Sequence, residues 1–238
     1  QTGTGKTAGF ALPILQQLMN GPSRRIRALI VVPTRELCEQ VCESIIFFGA
    51  NTKLRSMAIY GGVGKSPQTN KLLRPPEILV ACPGRLLDHV SDGNIDLSTV
   101  EILVLDEADR MFDMGFLPDV RRIISFLPDK RQTLLFAATM PDDIRKLANR
   151  ILNDPITVQI GVIAPAETVS HFIYPVSAHK KKDLLFAILE TTPTGRVMIF
   201  TRTRNRAQRL AIELHKASYK VASLQGDLSQ RQRLRAID

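Results

Sequence analysis

Five short, largely apolar runs constrain the fold of this chain more than any other feature of its sequence. A strand that helices cover on both faces is apolar throughout, whereas a strand with one solvated face alternates. Segments at 34–49, 117–127 and 141–152 instead repeat apolar residues at helical spacing, as Leu37, Val41 and Ile45 do. Strands that alternate with helices predict an α/β fold with a doubly wound parallel sheet. The runs lie at 26–32, 54–60, 77–81, 100–106 and 132–137.

The pattern loosens near Pro155 and then resumes as a shorter series, which predicts two domains. We expect a first domain at 1–155, a linker at 156–168 and a second domain at 169–238. Three strands make a small sheet for a closed core, so the second domain is expected to be incomplete. Its predicted elements are strands at 169–176, 196–201 and 220–225, helices at 182–192 and 205–217, and a last helix from about Ser229.

The chain is basic, with a formal net charge of +9 over 238 residues. This charge favours an anionic partner such as a nucleic acid, although a solvated basic surface explains it equally well. No apolar run approaches the roughly 20 residues that a membrane-spanning helix needs. The three cysteines show neither a disulfide framework nor zinc-ligand spacing, which predicts reduced thiols in a cytoplasmic protein.

The stretch "TGTGKT" near the start of the chain has the second half of a phosphate-binding pattern. Gly3 and Gly5 let the backbone turn sharply so that its N–H groups face phosphate oxygens. Lys6 can reach the β- and γ-phosphates, and Thr7 can hold Mg²⁺ at the start of a helix. The alternative is an ordinary glycine-rich turn that happens to precede Lys-Thr.

A second signal, "ILVLDEAD", places Asp106 and Glu107 at the end of a buried strand. The carboxyl ends of parallel strands form the ligand crevice of such sheets. Paired carboxylates there suit a magnesium-bound nucleotide, with Asp106 on the metal and Glu107 positioning and deprotonating a water. The alternative is an acidic helix N-terminus, which the same four letters would satisfy.

The letters Asp-Glu-Ala-Asp at 106–109 resemble the signature of the DEAD-box RNA helicases, and other motifs of that family follow in the same order and spacing. The wording "LVLDEADRMFDMGF" is similar to the bacterial RhlE-like subgroup. The resemblance covers essentially the whole chain. The matching stretches are "QTGTGKT", "PTRELCEQ" at 33–40, Gly61-Gly62, "CPGR" at 82–85, "AAT" at 137–139, "IFTRTR" at 199–204 and "QGDLSQRQR" at 225–233.

The resemblance implies two RecA-like parallel-sheet domains that hydrolyse ATP with Mg²⁺ and grip RNA by its sugar–phosphate backbone. A duplex bound in this way is locally unwound. Backbone gripping is independent of base sequence, and it suits a basic chain with few aromatic residues. Which RNA is handled, and which proteins bind, the resemblance leaves open.

Site residues are carried over from the family motif by motif. The phosphate-binding residues are Gly3, Thr4, Gly5, Lys6 and Thr7. The metal ligands are Thr7 and Asp106. The catalytic set is Lys6, Asp106, Glu107, Asp109 and Thr139, in which Asp109 pairs with Thr139. The RNA-binding residues are Thr34, Arg35, Gly62, Gly84, Arg85, Thr201, Arg202, Asp227, Gln230 and Arg233. Thr34 and Asp227 could instead cap helices, and Gln230 and Arg233 could form an exposed helix face.

Two single residues depart from the family pattern. Ala137 replaces a serine hydroxyl whose hydrogen bond is worth about 0.5–1.5 kcal/mol, so coupling between ATP use and strand separation is expected to weaken. Cys82 replaces a threonine and is a weaker hydrogen-bond donor. The family motifs upstream of the phosphate-binding turn and downstream of Arg233 are also missing.

These missing motifs suggest an internal fragment of a longer helicase, whose first sheet lacks the strand before the phosphate-binding turn. Turnover by this fragment alone is therefore doubtful, because the missing downstream motifs carry arginines that complete the ATP site. Two other functions stay open at this point. One is a passive RNA-binding module without turnover, and the other is a different nucleotide-driven motor such as a DNA helicase.

Overall fold

The structure is a computed structural model that describes residues 5–159, 170–192, 195–228 and 230–237. Contacts between Cα atoms divide the chain into two compact units, Gln1–Thr157 and Val158–Asp238.

The first unit is built on one five-stranded sheet, and all its strand pairs are parallel. The strand order is β2-β3-β1-β4-β5, so β2 and β5 lie at the edges. Each strand falls inside one of the apolar runs, which confirms the predicted α/β parallel-sheet fold. The strands are β1 (Ala28–Val31), β2 (Ser56–Ile59), β3 (Ile78–Ala81), β4 (Ile102–Leu105) and β5 (Gln132–Leu135).

Seven helices accompany this sheet in the described part of the first unit. Periodicity predicted α2, α6 and α7 but gave no prediction for α3, α4 and α5. In α3 only Gln68 and Leu72 are buried. Among the described residues of the chain, no helix has both the length and the apolar character needed to cross a membrane. The helices are α1 (Lys6–Leu18), α2 (Arg35–Phe48), α3 (Lys65–Leu72), α4 (Pro83–Ser91), α5 (Ala108–Asp113), α6 (Leu117–Ile124) and α7 (Asp142–Ile151).

The sheet is covered on both faces, which explains why its central strands are apolar at every position. Successive side chains of a strand point to opposite faces. Leu29 of β1 accordingly belongs to one buried cluster, together with Leu86 of α4. Its neighbour Ile30 belongs to the other cluster, together with Phe10 of α1 and Val41 of α2.

A buried arginine closes the amino-terminal edge of the sheet. Arg27, only 4% exposed, donates from Nε to Glu101 Oε1 at 2.7 Å and from Nη2 to Glu101 Oε2 at 3.1 Å. Its Nη1 also donates to the carbonyl of Leu18 at 2.9 Å. This contact network ties the start of β1 to the start of β4 and to the end of α1.

The second unit contains three α-helices in its described residues, α8 (Lys181–Thr191), α9 (Arg204–Lys216) and α10 (Gln230–Ile237), and a 3₁₀ turn. The strands predicted there are absent from the described residues, and that prediction was wrong for them. An apolar run becomes a strand only when a partner in register satisfies its backbone. Side chains of these runs are instead exposed, including Ile173, Met198 and Phe200.

Candidate functional site

Apart from the residues of the phosphate-binding turn, the predicted site residues of the first unit lie just after the carboxyl ends of its strands. In the strand order, β2, β3 and β1 form one half of the sheet edge that these ends make, and β4 and β5 form the other. The half made by β4 and β5 is followed by Asp106, Glu107, Asp109 and Thr139. The other half is followed by Gly62, Gly84, Arg85, Thr34 and Arg35. Parallel topology therefore separates the residues predicted for ATP chemistry from those predicted for RNA.

The phosphate-binding turn is described from Gly5 onward, and Gly3 and Thr4 lie outside the described residues. Gly5 has φ 75° and ψ 9°, a left-handed conformation that favours glycine, and it is the N-cap of α1. Lys6 and Thr7 are the first two residues of that helix. Its first turn contains no acidic residue. The N-terminal end of a helix dipole is thus left for an anion from outside the helix.

Asp106 is a buried carboxylate at the end of β4, with 4% of its surface exposed. Burial raises the pKa of Asp106, whereas the hydrogen bond from the Glu107 N–H and the positive charge of Lys6 act to lower it. That hydrogen bond is 2.9 Å long and reaches Oδ1.

Glu107 has a backbone conformation that the sequence did not predict. Its φ of 51° and ψ of 50° are left-handed, which is uncommon for a residue with a side chain. Glu107 is also the N-cap of α5, and its Oε2 accepts a hydrogen bond from Arg110 Nη1 at 3.1 Å. Strained backbone of this kind is typical of functional sites, where it aims a side chain.

Asp109 joins the start of α5 to the segment that follows β5. Its Oδ2 accepts from the Thr139 N–H at 2.8 Å and from Thr139 Oγ1 at 3.0 Å. Burial acts to raise the pKa of Asp109, but these two hydrogen bonds, together with those from the backbone of Arg110 and Ala138, outweigh it and hold the pKa below its usual value. Ala137, two residues before Thr139, packs against the hydrophobic core with its methyl group.

Two arginines clamp the loop that contains Gly61 and Gly62. Gly62 has φ 79°, and a Cβ built on it would lie 1.8 Å from Nη1 of Arg35. Nη1 and Nη2 of Arg85 donate to the carbonyl of Val63 at 3.2 and 3.1 Å. Both arginines were predicted to hold RNA, and the structure shows that each also contacts this loop. The double glycine was the signal in the sequence for such a close approach.

Other predicted residues of the first unit have simpler surroundings. Thr34 is the N-cap of α2, and its Oγ1 accepts from the Leu37 N–H at 3.3 Å, so the capping alternative describes its present contact. Gly84 lies in the first turn of α4 with open space where a side chain would be. Cys82, the N-cap of that helix, is 9% exposed.

In the described part of the second unit, the predicted RNA-binding residues Thr201, Asp227 and Arg233 make contacts within that unit. Thr201 Oγ1 donates to the Thr203 carbonyl at 3.0 Å, and Arg202 is exposed. Arg204, for which the sequence predicted no role, forms an ion pair with Asp227. Arg233 donates to the carbonyls of Leu228 and Gly226, both at 3.2 Å. Gln230 is the first residue of α10, and its side chain lies outside the described part.

Residues Thr7 and Asp106 fit a magnesium ion that a nucleotide brings with it. Among the described residues, no group of three or more His, Cys, Asp or Glu side chains could hold a metal by itself. Mg²⁺ is commonly bound by one or two protein oxygens together with phosphate oxygens and waters. The single buried carboxylate of Asp106 is compatible with that mode, which does not need a full set of protein ligands.

The chain matches the models of two protein families, one in each unit. The model of the DEAD/DEAH box helicase family matches residues 1–147. The model of the helicase conserved C-terminal domain matches residues 180–238.

Curated relatives match over the whole chain. The DEAD-box ATP-dependent RNA helicase RhpA of Helicobacter pylori is 39% identical over 238 residues, which are 100% of this chain and 48% of that protein. The DEAD-box ATP-dependent RNA helicase CshA of Geobacillus kaustophilus is 40% identical and is covered over 51% of its length. The ATP-dependent RNA helicase DeaD of Mycobacterium tuberculosis is 42% identical over 239 residues, 42% of its length. The chain thus spans about half the length of the curated relatives it matches.

Proposed function

Because the chain belongs to the DEAD/DEAH box helicase family, we propose that it is part of an ATP-dependent RNA helicase. In this proposal the protein hydrolyses ATP to ADP and phosphate and locally unwinds RNA duplexes. Residues 1–155 form the ATP-binding domain, 156–168 the linker and 169–238 part of the C-terminal helicase domain. The similarity of wording to the RhlE-like subgroup stays a prediction, because the relatives named above carry other names.

One observation carries the proposal: Asp106, a carboxylate only 4% exposed, directly follows β4, and Lys6 begins helix α1 directly after the left-handed Gly5. A buried carboxylate at the carboxyl ends of parallel strands, together with a lysine at a helix N-terminus, suits a magnesium-bound triphosphate. Gly3, Thr4, Gly5, Lys6 and Thr7 bind the triphosphate, with Lys6 and the N–H groups at the start of α1 as donors to the phosphates. Thr7 and Asp106 hold Mg²⁺, which neutralises the charge that develops on the phosphates.

Glu107 and Asp109 have different roles, although they are two residues apart. Glu107 orients the attacking water and accepts its proton, and its left-handed backbone sets the direction of the side chain. Asp109 has a different role, because its carboxylate accepts hydrogen bonds from the N–H and the hydroxyl of Thr139. It is a positioning residue that connects the ATP half of the sheet edge to the segment after β5.

The RNA-binding role rests on the other half of the sheet edge. Arg35, Gly62 and Arg85 form one contact group, because both arginines hold the glycine loop. A guanidinium has five N–H donors, so an arginine that bonds a carbonyl retains donors for a phosphate. Thr34 and Gly84 present a hydroxyl and an open backbone beside them. In the second unit, Thr201, Arg202, Asp227, Gln230 and Arg233 are proposed to complete the grip.

Three buried free thiols, Cys38, Cys42 and Cys82, are compatible with the proposed cytoplasmic location. Free thiols persist in reducing compartments.

The test is phosphate release by the protein that contains this chain, measured with ATP and single-stranded RNA. Glu107→Gln is expected to lower the RNA-stimulated rate by at least about 100-fold, the usual contribution of a general base, while ATP binding persists. Lys6→Ala is expected to lose ATP binding as well. The exposed residue Asp129 offers a matched control, since Asp129→Asn removes a carboxylate outside the site.

The same assay separates the competing functions. Stimulation by RNA and not by single-stranded DNA supports the RNA helicase. Equal stimulation by both would indicate another nucleotide-driven motor. RNA binding that ignores ATP, with no phosphate release in the intact protein, would indicate a passive binding module and would refute the proposal.

A further inference from the structure

Strand β2 leaves one side of its backbone free at the edge of the sheet. The Ile78 N–H donates to the Arg55 carbonyl at 3.1 Å, and the Cys82 N–H donates to the Ile59 carbonyl at 2.9 Å. Odd-numbered residues along this stretch therefore face β3, and the backbone groups of Ser56 and Ala58 point the other way. Within the described sheet, no strand pairs with that side of β2. A free strand edge of this kind can accept a further strand.

A groove runs along this free edge. It has a volume of about 530 Å³ and lies between Cys42 and Ile46 of α2 on one side and the end of α3 on the other. The floor includes Ser56, Met57 and Ala58 of β2. A second depression of about 330 Å³ shares Ile46 and Ser56 with the first and extends it towards the amino end of β2. The two depressions together line β2 from Ser56 to Ala58.

The groove combines apolar walls with three cationic side chains. Ile46 is 55% exposed and Leu73 is 79% exposed, although both are large apolar side chains. Three cations, Arg55, Lys71 and Arg74, line the groove, and its lining contains no Asp or Glu. Charge complementarity therefore favours an acidic occupant, and the apolar walls favour one with apolar side chains.

We propose that this groove binds an acidic peptide segment in extended conformation, which adds a strand to β2. The backbone of the segment pairs with Ser56 and Ala58, and one of its apolar side chains lies between Ile46 and Leu73. Acidic side chains of the segment face Lys71 and Arg74. Such strand addition gives affinity through main-chain hydrogen bonds and specificity through alternate side chains. Arg55, Lys71 and Arg74 suit phosphates as well as carboxylates, but only an extended peptide also pairs with the alternating N–H and C=O groups of the strand edge, which favours a peptide over RNA.

The probe is a fluorescein-labelled nine-residue peptide of alternating valine and glutamate, added to the full chain and followed by fluorescence anisotropy. Two control peptides test the two halves of the proposal. One carries N-methyl groups on alternate backbone nitrogens, which removes the strand pairing. The other replaces each glutamate with lysine, which reverses the charge. Both are expected to bind at least about tenfold more weakly than the parent peptide, in line with the energies of main-chain and charge pairs.

Protein variants locate the peptide. The double variant Lys71→Glu with Arg74→Glu is expected to weaken binding at least about tenfold through charge repulsion. The matched control is Lys130→Glu, an exposed lysine before β5 at the opposite edge of the sheet, which is expected to leave binding within about twofold. Ala58→Pro removes an N–H that makes no bond within the sheet, and proline is tolerated at edges. It is expected to abolish peptide binding, with circular dichroism reporting whether the fold persists.

The outcomes are decisive in either direction. Selective loss of binding in the groove variants, with amide-hydrogen exchange slowed at Ser56 and Ala58 by the peptide, supports the proposal. No measurable binding of the parent peptide, or equal binding by the N-methylated peptide, overturns it. Displacement of the peptide by single-stranded RNA, together with lower RNA affinity of the Lys71 and Arg74 variant, would assign the groove to RNA and would also overturn it.

Discussion

Asp106 shows how a residue that is needed for chemistry works against the stability of the fold. Burial raises the pKa of its carboxyl group, so the folded protein disfavours the ionised form that a metal requires. The hydrogen bond from the Glu107 N–H and the charge of Lys6 recover only part of this cost. The aspartate that would hold Mg²⁺ is therefore expected to destabilise the protein when no ligand is present.

Replacing Asp106 with asparagine should stabilise the ligand-free chain at neutral pH. When the pKa of a carboxyl group is higher in the folded state than in the unfolded state, the protein becomes less stable as pH rises above the unfolded-state pKa, which is about 3.9 for aspartate. The asparagine side chain keeps an oxygen for the Glu107 N–H but has no charge, so the gain of Asp106→Asn should be larger at pH 7 than at pH 4. Urea unfolding at both values measures it, with Asp129→Asn as the exposed control. A gain that is the same at pH 4 and pH 7 would contradict this account.

Gly62 and Gly61 provide a matched pair for the glycine loop. A Cβ at Gly62 would meet Arg35 Nη1 at 1.8 Å and would add a side chain at φ 79°, whereas nothing lies within 4 Å of a Cβ at Gly61. Gly62→Ala should therefore cost about 1–2 kcal/mol in the left-handed backbone alone. It should displace Arg35 and weaken single-stranded RNA binding, and Gly61→Ala should do neither. Similar RNA affinities of the two variants, measured by anisotropy, would show that the arginine contact is unimportant.

Some residue-level features could be read from the sequence, and others depend on contacts between distant segments. The position of Asp106 followed from an apolar run that ends in a carboxylate, because parallel strands bring their ends together. The pairing of Asp109 with Thr139 came only from the family resemblance. The left-handed backbone of Glu107 had no local signal, since glutamate rarely adopts that conformation. The contact of Arg35 with Gly62 requires α2 and the loop after β2 to meet, which spacing along the chain does not show.

At the level of elements, the amino-terminal edge of the sheet depends on one ion pair. Arg27 is 5% exposed in its side chain, while its partner Glu101 is 41% exposed. The hydrogen bond from Arg27 lowers the pKa of Glu101, although partial burial acts in the opposite direction. Without Glu101, the guanidinium would stay buried with only backbone carbonyls as partners. The contact thus matters more for Arg27 than the exposure of Glu101 suggests.

Replacing Glu101 with alanine is therefore expected to destabilise the first unit by about 1–2 kcal/mol, less than a fully buried pair because solvent screens the carboxylate. The lowered pKa gives the pH dependence its sign. The stability that this ion pair contributes is fully present above the unfolded-state pKa of glutamate, about 4.3. It is lost as pH falls through the lower pKa that Glu101 has in the folded protein. Urea unfolding at pH 7 and pH 3 measures both effects, with the exposed residue Glu43→Ala as control. Equal destabilisation by the two substitutions would show that the clamp contributes nothing specific.

The elements themselves were predictable where burial on two faces left a continuous apolar run. Strands β1, β3 and β4 are buried at every position and fall inside the predicted segments. Helix α3 escaped prediction because it lacks an apolar face, and its position is set by the strands that it connects. Apolar runs in the second unit resemble strands equally well. Their described residues have no partner strand, and a local pattern contains no information about whether a partner is present.

For the whole molecule, the effect of the basic net charge on RNA binding depends on where the individual cations lie. Of the four arginines proposed to contact RNA, Arg35, Arg85 and Arg233 also contact nearby loops, and Arg202 is exposed. If these internal contacts use up the guanidinium groups, RNA binding depends weakly on salt. If each arginine retains donors for a phosphate, every one of them displaces a counterion from the RNA.

The salt dependence of RNA binding decides between these cases. Four phosphate contacts predict that the logarithm of the association constant falls with the logarithm of salt with a slope of about −2.8, so binding weakens about 50-fold between 50 and 200 mM KCl. With Arg202 alone, the slope would be about −0.7 and the loss about threefold. We expect the steep slope in anisotropy titrations with a single-stranded oligonucleotide. Arg85→Gln should make the slope shallower by about 0.7, whereas Lys130→Glu, at the edge next to β5, should leave it unchanged. A wild-type slope shallower than about −1.5 would mean that the arginines brace loops and do not hold RNA.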